Sequence, residues 1–173
     1  MTEVSLVGAA AVHALSCPYC HRPMPPDADA ALDAQHRWGF AAAQAVADGR
    51  VVGLLVLAPA ETGATVACGW VEPDFVRRGV GRQLVRAAAA GLVAQRVGSL
   101  AALSGHSSGC AGFSRRWLAA VGFRPTTQPK LWRMDLNQTV LVPRRTLRET
   151  FEELVDAVRP VPPPEPVGRT GER

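Results

Sequence analysis

Aromatic residues make up only 6% of the chain, and Tyr19 is its one tyrosine. Interleaved aromatics for stacking bases are therefore absent. Lysine is just as scarce: of 19 basic residues only Lys130 is lysine. The 18 arginines are scattered, with pairs at 77–78, 115–116 and 144–145 and no long run. The net charge of +4 thus reflects an arginine-rich composition rather than a basic patch, and no nucleic-acid partner is expected. No stretch reaches the roughly 20 apolar residues needed to cross a bilayer, so no membrane partner is expected either. The four cysteines are unevenly spread over 173 residues, which does not make a disulfide scaffold. Val4 to Leu15 is apolar, but Glu3 rather than a cation precedes it, and Gly8 and His13 interrupt it. It reads as domain sequence and not as a secretory leader, and a cytoplasmic protein is expected.

What is present suits a globular domain. The chain is 47% hydrophobic and 20% charged, and its length allows one ordinary core. Val4 to Leu15 admits a strand followed by a short helix. Three prolines between Pro23 and Pro26 stop any helix there. Asp27 or Asp29 can cap a helix from about Ala30 to Arg37. Trp38 to Ala47 reads as a strand, Asp48-Gly49 as a hairpin turn, and Val51 to Leu57 as its partner. Pro59 to Gly63 is expected to be a loop, and Ala64 to Val71 a further strand. Ser99 to Leu103 is short and nearly all apolar, as in a strand buried on both faces. Phe113 to Val121 follows as a helix stopped by Gly122, and Leu131 to Leu136 as a closing strand.

The stretch Val76-Arg77-Arg78-Gly79-Val80-Gly81-Arg82 carries the functional signal. It follows the strand that ends at Val71 and opens a helix running to about Gln95. On that helix Leu84, Val85, Ala88, Ala89, Leu92 and Val93 form a core-facing stripe. Glycines one residue apart let the backbone turn tightly. The helix start offers unpaired N–H groups and a positive dipole end, and Arg77, Arg78 and Arg82 add cations. A diphosphate is the natural occupant. A dinucleotide fingerprint is excluded: the third glycine is missing, and Val93 to Ala102 holds no carboxylate.

The order Gly69-Trp70-Val71-Glu72-Pro73, the glycine turn, a strand, a helix and Val121-Gly122-Phe123 resembles the GNAT superfamily of acyl-CoA-dependent N-acetyltransferases over roughly residues 36 to 136. The resemblance implies an α/β (α+β) fold, with a mixed, mostly antiparallel sheet flanked by helices. It implies acetyl-CoA as co-substrate and an amine as acceptor, joined by direct attack on the thioester. Gly69, Trp70 and Val71 would hold the pantetheine arm and polarise the acyl carbonyl. Arg77, Arg78, Gly79, Val80, Gly81 and Arg82 would hold the diphosphate. Two positions depart from the family pattern. Val76 stands where Gln or Arg is usual, and Leu118, beside Trp117, stands where many members carry the tyrosine that protonates the thiolate. Tyr19 is far off in sequence. No catalytic residue is assigned, although Ser107, Ser108 and Cys110 are substitutes for the acid, and His106 or Glu72 for the base. A catalytically silent CoA-binding regulatory module is the alternative.

Cys17-Pro18-Tyr19-Cys20 also matches the dithiol of glutaredoxins, a third alternative. That chemistry needs a helix at the first cysteine, and Pro23, Pro25 and Pro26 oppose one. Zinc on Cys17, Cys20 and a distant Cys110, His106 or His21 is not favoured, because the motif lacks a second pair. No metal is assigned, and Cys68, alternating on a strand, is expected in the core. The acyltransferase domain is expected over residues 1–142. Beyond it, Thr146-Leu147-Arg148-Glu149 is a capping box. Leu147, Phe151, Leu154, Val155 and Val158 continue a helix over 143–158 that buries its stripe on the domain or on a partner, which leaves room for a homodimer. Residues 159–173 hold five prolines and are expected to be disordered.

Overall fold

The structure, a computed structural model, describes residues 2–25, 27–105 and 112–139. Its strands are β1 (Glu3–Val7), β2 (Ala42–Ala47), β3 (Arg50–Ala60), β4 (Gly63–Val71), β5 (Ser99–Leu103), β6 (Arg124–Pro125) and β7 (Leu131–Asp135). Its helices are α1 (Ala9–His13), α2 (Ala28–Trp38), α3 (Val80–Ala94), α4 (Arg115–Val121) and α5 (Leu136–Thr139). Among the described residues the strands form one seven-stranded sheet in the order β1-β2-β3-β4-β5-β7-β6. All pairings are antiparallel except β4 with β5. This is the mixed, mostly antiparallel sheet that the sequence suggests. The expected helix over 143–158, the tail and the loop residues His106, Ser107, Ser108 and Cys110 lie outside the described residues.

Local chemistry accounts for most of the elements. Asp27 caps α2, its side chain accepting from the Asp29 N–H at 3.1 Å. Asp48 and Gly49 both take positive φ, 50° and 73°, which gives the tight turn joining β2 to β3 its hairpin twist. Ser114 caps α4 by accepting from the Trp117 N–H at 3.2 Å.

Three boundaries differ from expectation. Trp38 ends α2 instead of opening a strand, because left-handed Gly39 donates to the Gln35 carbonyl at 2.8 Å and closes the helix. The strand then starts at Ala42. The segment Pro59 to Gly63 is mostly strand: Pro59 pairs with Ala64 and Ala60 with Gly63, leaving only a tight turn between. Phe113 precedes α4 and sits in a bridge to Ser104.

The core lies between the sheet and its helices. Leu84, Val85, Ala88, Ala89 and Leu92 of α3 are buried, as their spacing indicated. Cys68 is buried as well. Gly53 of β3 lets α3 approach, since a Cβ there would stand 3.1 Å from side-chain carbons of both Val80 and Leu84. Leu84 therefore ties α3, and the turn before it, to the sheet. Leu84→Ala is expected to cost about 2–5 kcal/mol of stability. The change Arg86→Ala, at an exposed position of the same helix, should stay within about 0.5 kcal/mol. Urea denaturation followed by circular dichroism reads both.

Candidate functional site

The site is built where two strands part. β4 pairs with β5 only through Ala64–Leu100 and Thr65–Ala101. Beyond Thr65 the side of β4 turned away from β3 has no strand partner among the described residues. The direction of its polar groups follows from one bond. The Glu72 N–H donates to the Val52 carbonyl at 2.9 Å, so the backbone groups of Glu72 face β3. By the alternation of a strand, those of Trp70 do too, and those of Gly69 and Val71 face the gap. Trp70 thus stands between the two residues whose main chain is presented, and the Trp70 indole N–H is buried without a partner among the described residues.

The floor of the gap is apolar. A narrow cleft of about 120 Å³ runs past Gly69, Val71, Leu84, Phe113 and Trp117. Phe113 and Trp117 stack with ring centroids 5.1 Å apart. A Cβ on Gly69 would come within 3.0 Å of the Leu54 carbonyl oxygen, so a side chain there would crowd the strand. Beside the cleft, and sharing Val71, Gly81 and Trp117 with it, is a recess of about 380 Å³ bounded also by Arg77, Gly79 and Arg82.

The glycine turn shapes this recess, and its two glycines serve different ends. Gly79 is the N-cap of α3 at φ 83°, with open space around its Cβ position. It is needed for its left-handed backbone. Gly81 is helical and lies against Trp117, whose Nε1 would be 3.1 Å from an added Cβ. It is needed for its lack of a side chain. Gly79 offers no side-chain cap, so the first N–H groups of α3 are left for a ligand or water. Arg77 is also left-handed, at φ 66°, an uncommon conformation for a residue with a side chain. The Arg78 guanidinium lies over Phe75 at 5.4 Å. One Arg82 nitrogen donates to the Ala120 carbonyl at 3.4 Å. Val76 is exposed and brings no polar group to the turn. The residues from 77 to 82 therefore stand together at one helix start, and their chemistry favours an anion.

Tyr19 is the residue that reading along the chain missed. It lies in the connection between α1 and α2, 52 residues before Val71, and its hydroxyl donates to the Val71 carbonyl at 2.5 Å. The cysteine motif supplies the turn that carries it. Cys17 N–H donates to the Arg22 carbonyl, His21 N–H donates back to the Cys17 carbonyl, both at 2.9 Å, and Ser16 bridges to Pro23. Cys17 is buried and heads no helix, so the setting that activates a glutaredoxin thiol is missing. Among the described residues no three His, Cys, Asp or Glu side chains converge on a metal position. Glu72, at the end of β4, pairs with Arg50 at 2.8 Å. Leu118 is buried in the core, and its aliphatic side chain offers no acid at that position. Another recess, of about 360 Å³, lies beside Arg115 and the β6–β7 turn and shares no residue with the first two.

Partial burial pushes the Tyr19 phenol above its ordinary value, helped by nearby Cys17 and Glu72. The phenol therefore stays protonated, as a donor to Val71 must. A group raised in the folded state adds stability below its unfolded pKa of about 10, and that stability is lost as pH rises through the folded value. With Tyr19 the sole tyrosine, absorbance at 295 nm titrates it alone. The midpoint is expected above that of the urea-unfolded chain, and folding stability should decline above pH of about 10.

Comparison with known proteins identifies the family and the fold. Residues 9–119 match the family described as "Acetyltransferase (GNAT) family". No curated protein matches the chain significantly. Among solved structures, YncA from Salmonella typhimurium with its cofactor acetyl-CoA is 15% identical, at a TM-score of 0.56 over 84% of this chain and 99% of that one. YhbS from Escherichia coli in complex with CoA is 18% identical, at 0.55 over 79% and 81%. The ribosomal-protein-S18-alanine N-acetyltransferase from Escherichia coli is 16% identical, at 0.51 over 79% and 94%. At such identities these likenesses establish the fold. With the match covering more than half of its residues, the chain belongs to the GNAT acetyltransferase family.

Proposed function

We propose that this chain is an N-acetyltransferase that moves an acetyl group from acetyl-CoA to an amine. The observation that carries the reading is the free edge of β4, with Gly69 and Val71 facing a gap that runs into the glycine turn. The turn from Arg77 through Arg78, Gly79, Val80 and Gly81 to Arg82 holds the diphosphate on main-chain N–H groups and guanidinium charge. The pantetheine arm lies along β4 as an added strand would, on the polar groups of Gly69 and Val71, with Trp70 between them as spacer. A Gly69 or Val71 N–H polarises the acyl carbonyl as charge builds on its oxygen. The bound amine attacks directly, and the CoA thiolate leaves. This reading places the protein in the cytoplasm, and a second copy of the chain is the assembly partner it admits.

The buried Leu118 favours a second reading, a module that binds the cofactor and turns nothing over. Calorimetry with acetyl-CoA, joined to a thiol-release assay over a panel of amines, separates the two. Binding with thiol release on at least one amine is expected; binding without release on any acceptor favours the silent module. The loop assignment has its own test. Gly79→Glu should lower CoA affinity at least tenfold, because it sets a negative charge where the diphosphate would lie. Gly79→Asn, which tolerates the left-handed backbone, should bind within a few-fold of the native chain. Unchanged CoA binding by the Glu variant overturns the assignment.

A further inference from the structure

The Tyr19 hydroxyl occupies a main-chain acceptor in the middle of the gap. Val71 C=O is one of the few polar groups that β4 presents on its free edge, and the phenol oxygen stands 2.5 Å from it. Tyr19 is not pinned there by burial; it is 55% exposed. The backbone that carries it is more firmly held. Cys17 is buried, its N–H and C=O are bonded to Arg22 and His21, and Met24 N–H donates to the Leu15 carbonyl at 3.1 Å. The result is a held turn that presents an exposed phenol at the strand edge.

Resting on the reading above, we propose that Tyr19 competes with the cofactor arm for the edge of β4: its hydroxyl holds the Val71 carbonyl until the cofactor binds and then yields it to an arm amide N–H. Val71 lies both in the recess at the glycine turn and along the apolar cleft, so it meets the arm just beyond the diphosphate. An amide seeking this carbonyl finds the phenol oxygen in its place. The exchange trades one hydrogen bond for another, which keeps the unliganded edge satisfied and makes entry of the arm a competition. The released phenol then lies on the side of the strand end where Glu72 contributes to its surroundings. The cysteine motif thereby gains a role without metal or redox chemistry: it is the turn that sets the reach of Tyr19.

Two ligands isolate the effect. CoA carries the arm, and 3′-phosphoadenosine 5′-diphosphate carries the same nucleotide and diphosphate without it. Tyr19→Phe removes the competing bond, so calorimetry should show CoA binding about three- to tenfold tighter than to the native chain. 3′-Phosphoadenosine 5′-diphosphate should bind both proteins alike. As a measurement on the unmutated sequence, growth on 3-fluorotyrosine labels position 19 alone. Its ¹⁹F resonance should move with CoA and stay in place with the arm-less nucleotide. Unchanged or weaker CoA binding by Tyr19→Phe, an equal change for both ligands, or a stationary resonance while CoA binds would each overturn the proposal. If the native chain binds the arm-less nucleotide but not CoA, the arm does not lie on β4 and the proposal falls while the turn assignment stands. If it binds neither, the cofactor reading fails beneath it.

Discussion

The early separation of β4 from β5 is the constraint on which the rest depends. A parallel pair of strands would ordinarily satisfy each other's main-chain groups along their whole length. Here the ladder stops after two residue pairs, and β4 runs on with one edge open. Unpaired N–H and C=O groups in a half-buried place are costly unless something meets them. The fold fills the gap in two ways. Phe113 and Trp117 cover its apolar floor, and Tyr19 reaches across to take one carbonyl. What is left is a slot whose polar side is backbone and whose other side is aromatic and aliphatic, a shape matched to an extended chain that carries amides.

The turn that follows continues the same logic into charge. β4 delivers the chain to residues 77–82, where α3 begins without a side-chain cap. The first N–H groups of α3 and the open edge of β4 then border adjoining cavities, since Val71, Gly81 and Trp117 line both the narrow and the wide one. A ligand with an anionic middle and an amide-bearing arm can use both at once. Gly53 and Leu84 make this continuity rigid by seating α3 closely on β3. Packing of α3 on β3 thus sets where the glycine turn stands relative to the strand edge.

How much of this a reader of the sequence can see depends on how local each cause is. The hairpin at Asp48-Gly49 and the stripe from Leu84 to Leu92 are set by neighbours in the chain, and both are legible. So is the glycine turn that opens α3, although only the structure separates the left-handed need of Gly79 from the close approach at Gly81. Trp38 misleads because the apolar run it begins spans a helix end, and the closing signal is the single left-handed Gly39. Pro59 misleads because proline usually argues against a strand interior, yet it pairs with Ala64 near the end of a hairpin. The contact between Tyr19 and Val71 is beyond any local rule. It joins residues 52 apart, and the motif around Tyr19 advertises cysteine chemistry while what it delivers is a phenol.

The missing tyrosine of α4 can be weighed against what remains. A thiol of pKa near 8.5 leaves as thiolate at neutral pH at a cost of about 2 kcal/mol relative to a protonated leaving group. Orientation of two bound reactants contributes on the order of 7–11 kcal/mol, and one well-placed oxyanion donor about 3–4 kcal/mol. A positioned acid contributes on the order of 3–5 kcal/mol, so for a chain that transfers an acyl group its loss is smaller than what orientation alone can supply. On the proposed reading, Leu118 in the core removes the acid and leaves the other two contributions in place, because those would reside in main-chain atoms that no side-chain change at that position displaces. A site whose chief instruments are amides and carbonyls tolerates wide drift in its side chains while the two strands keep parting at the same residue.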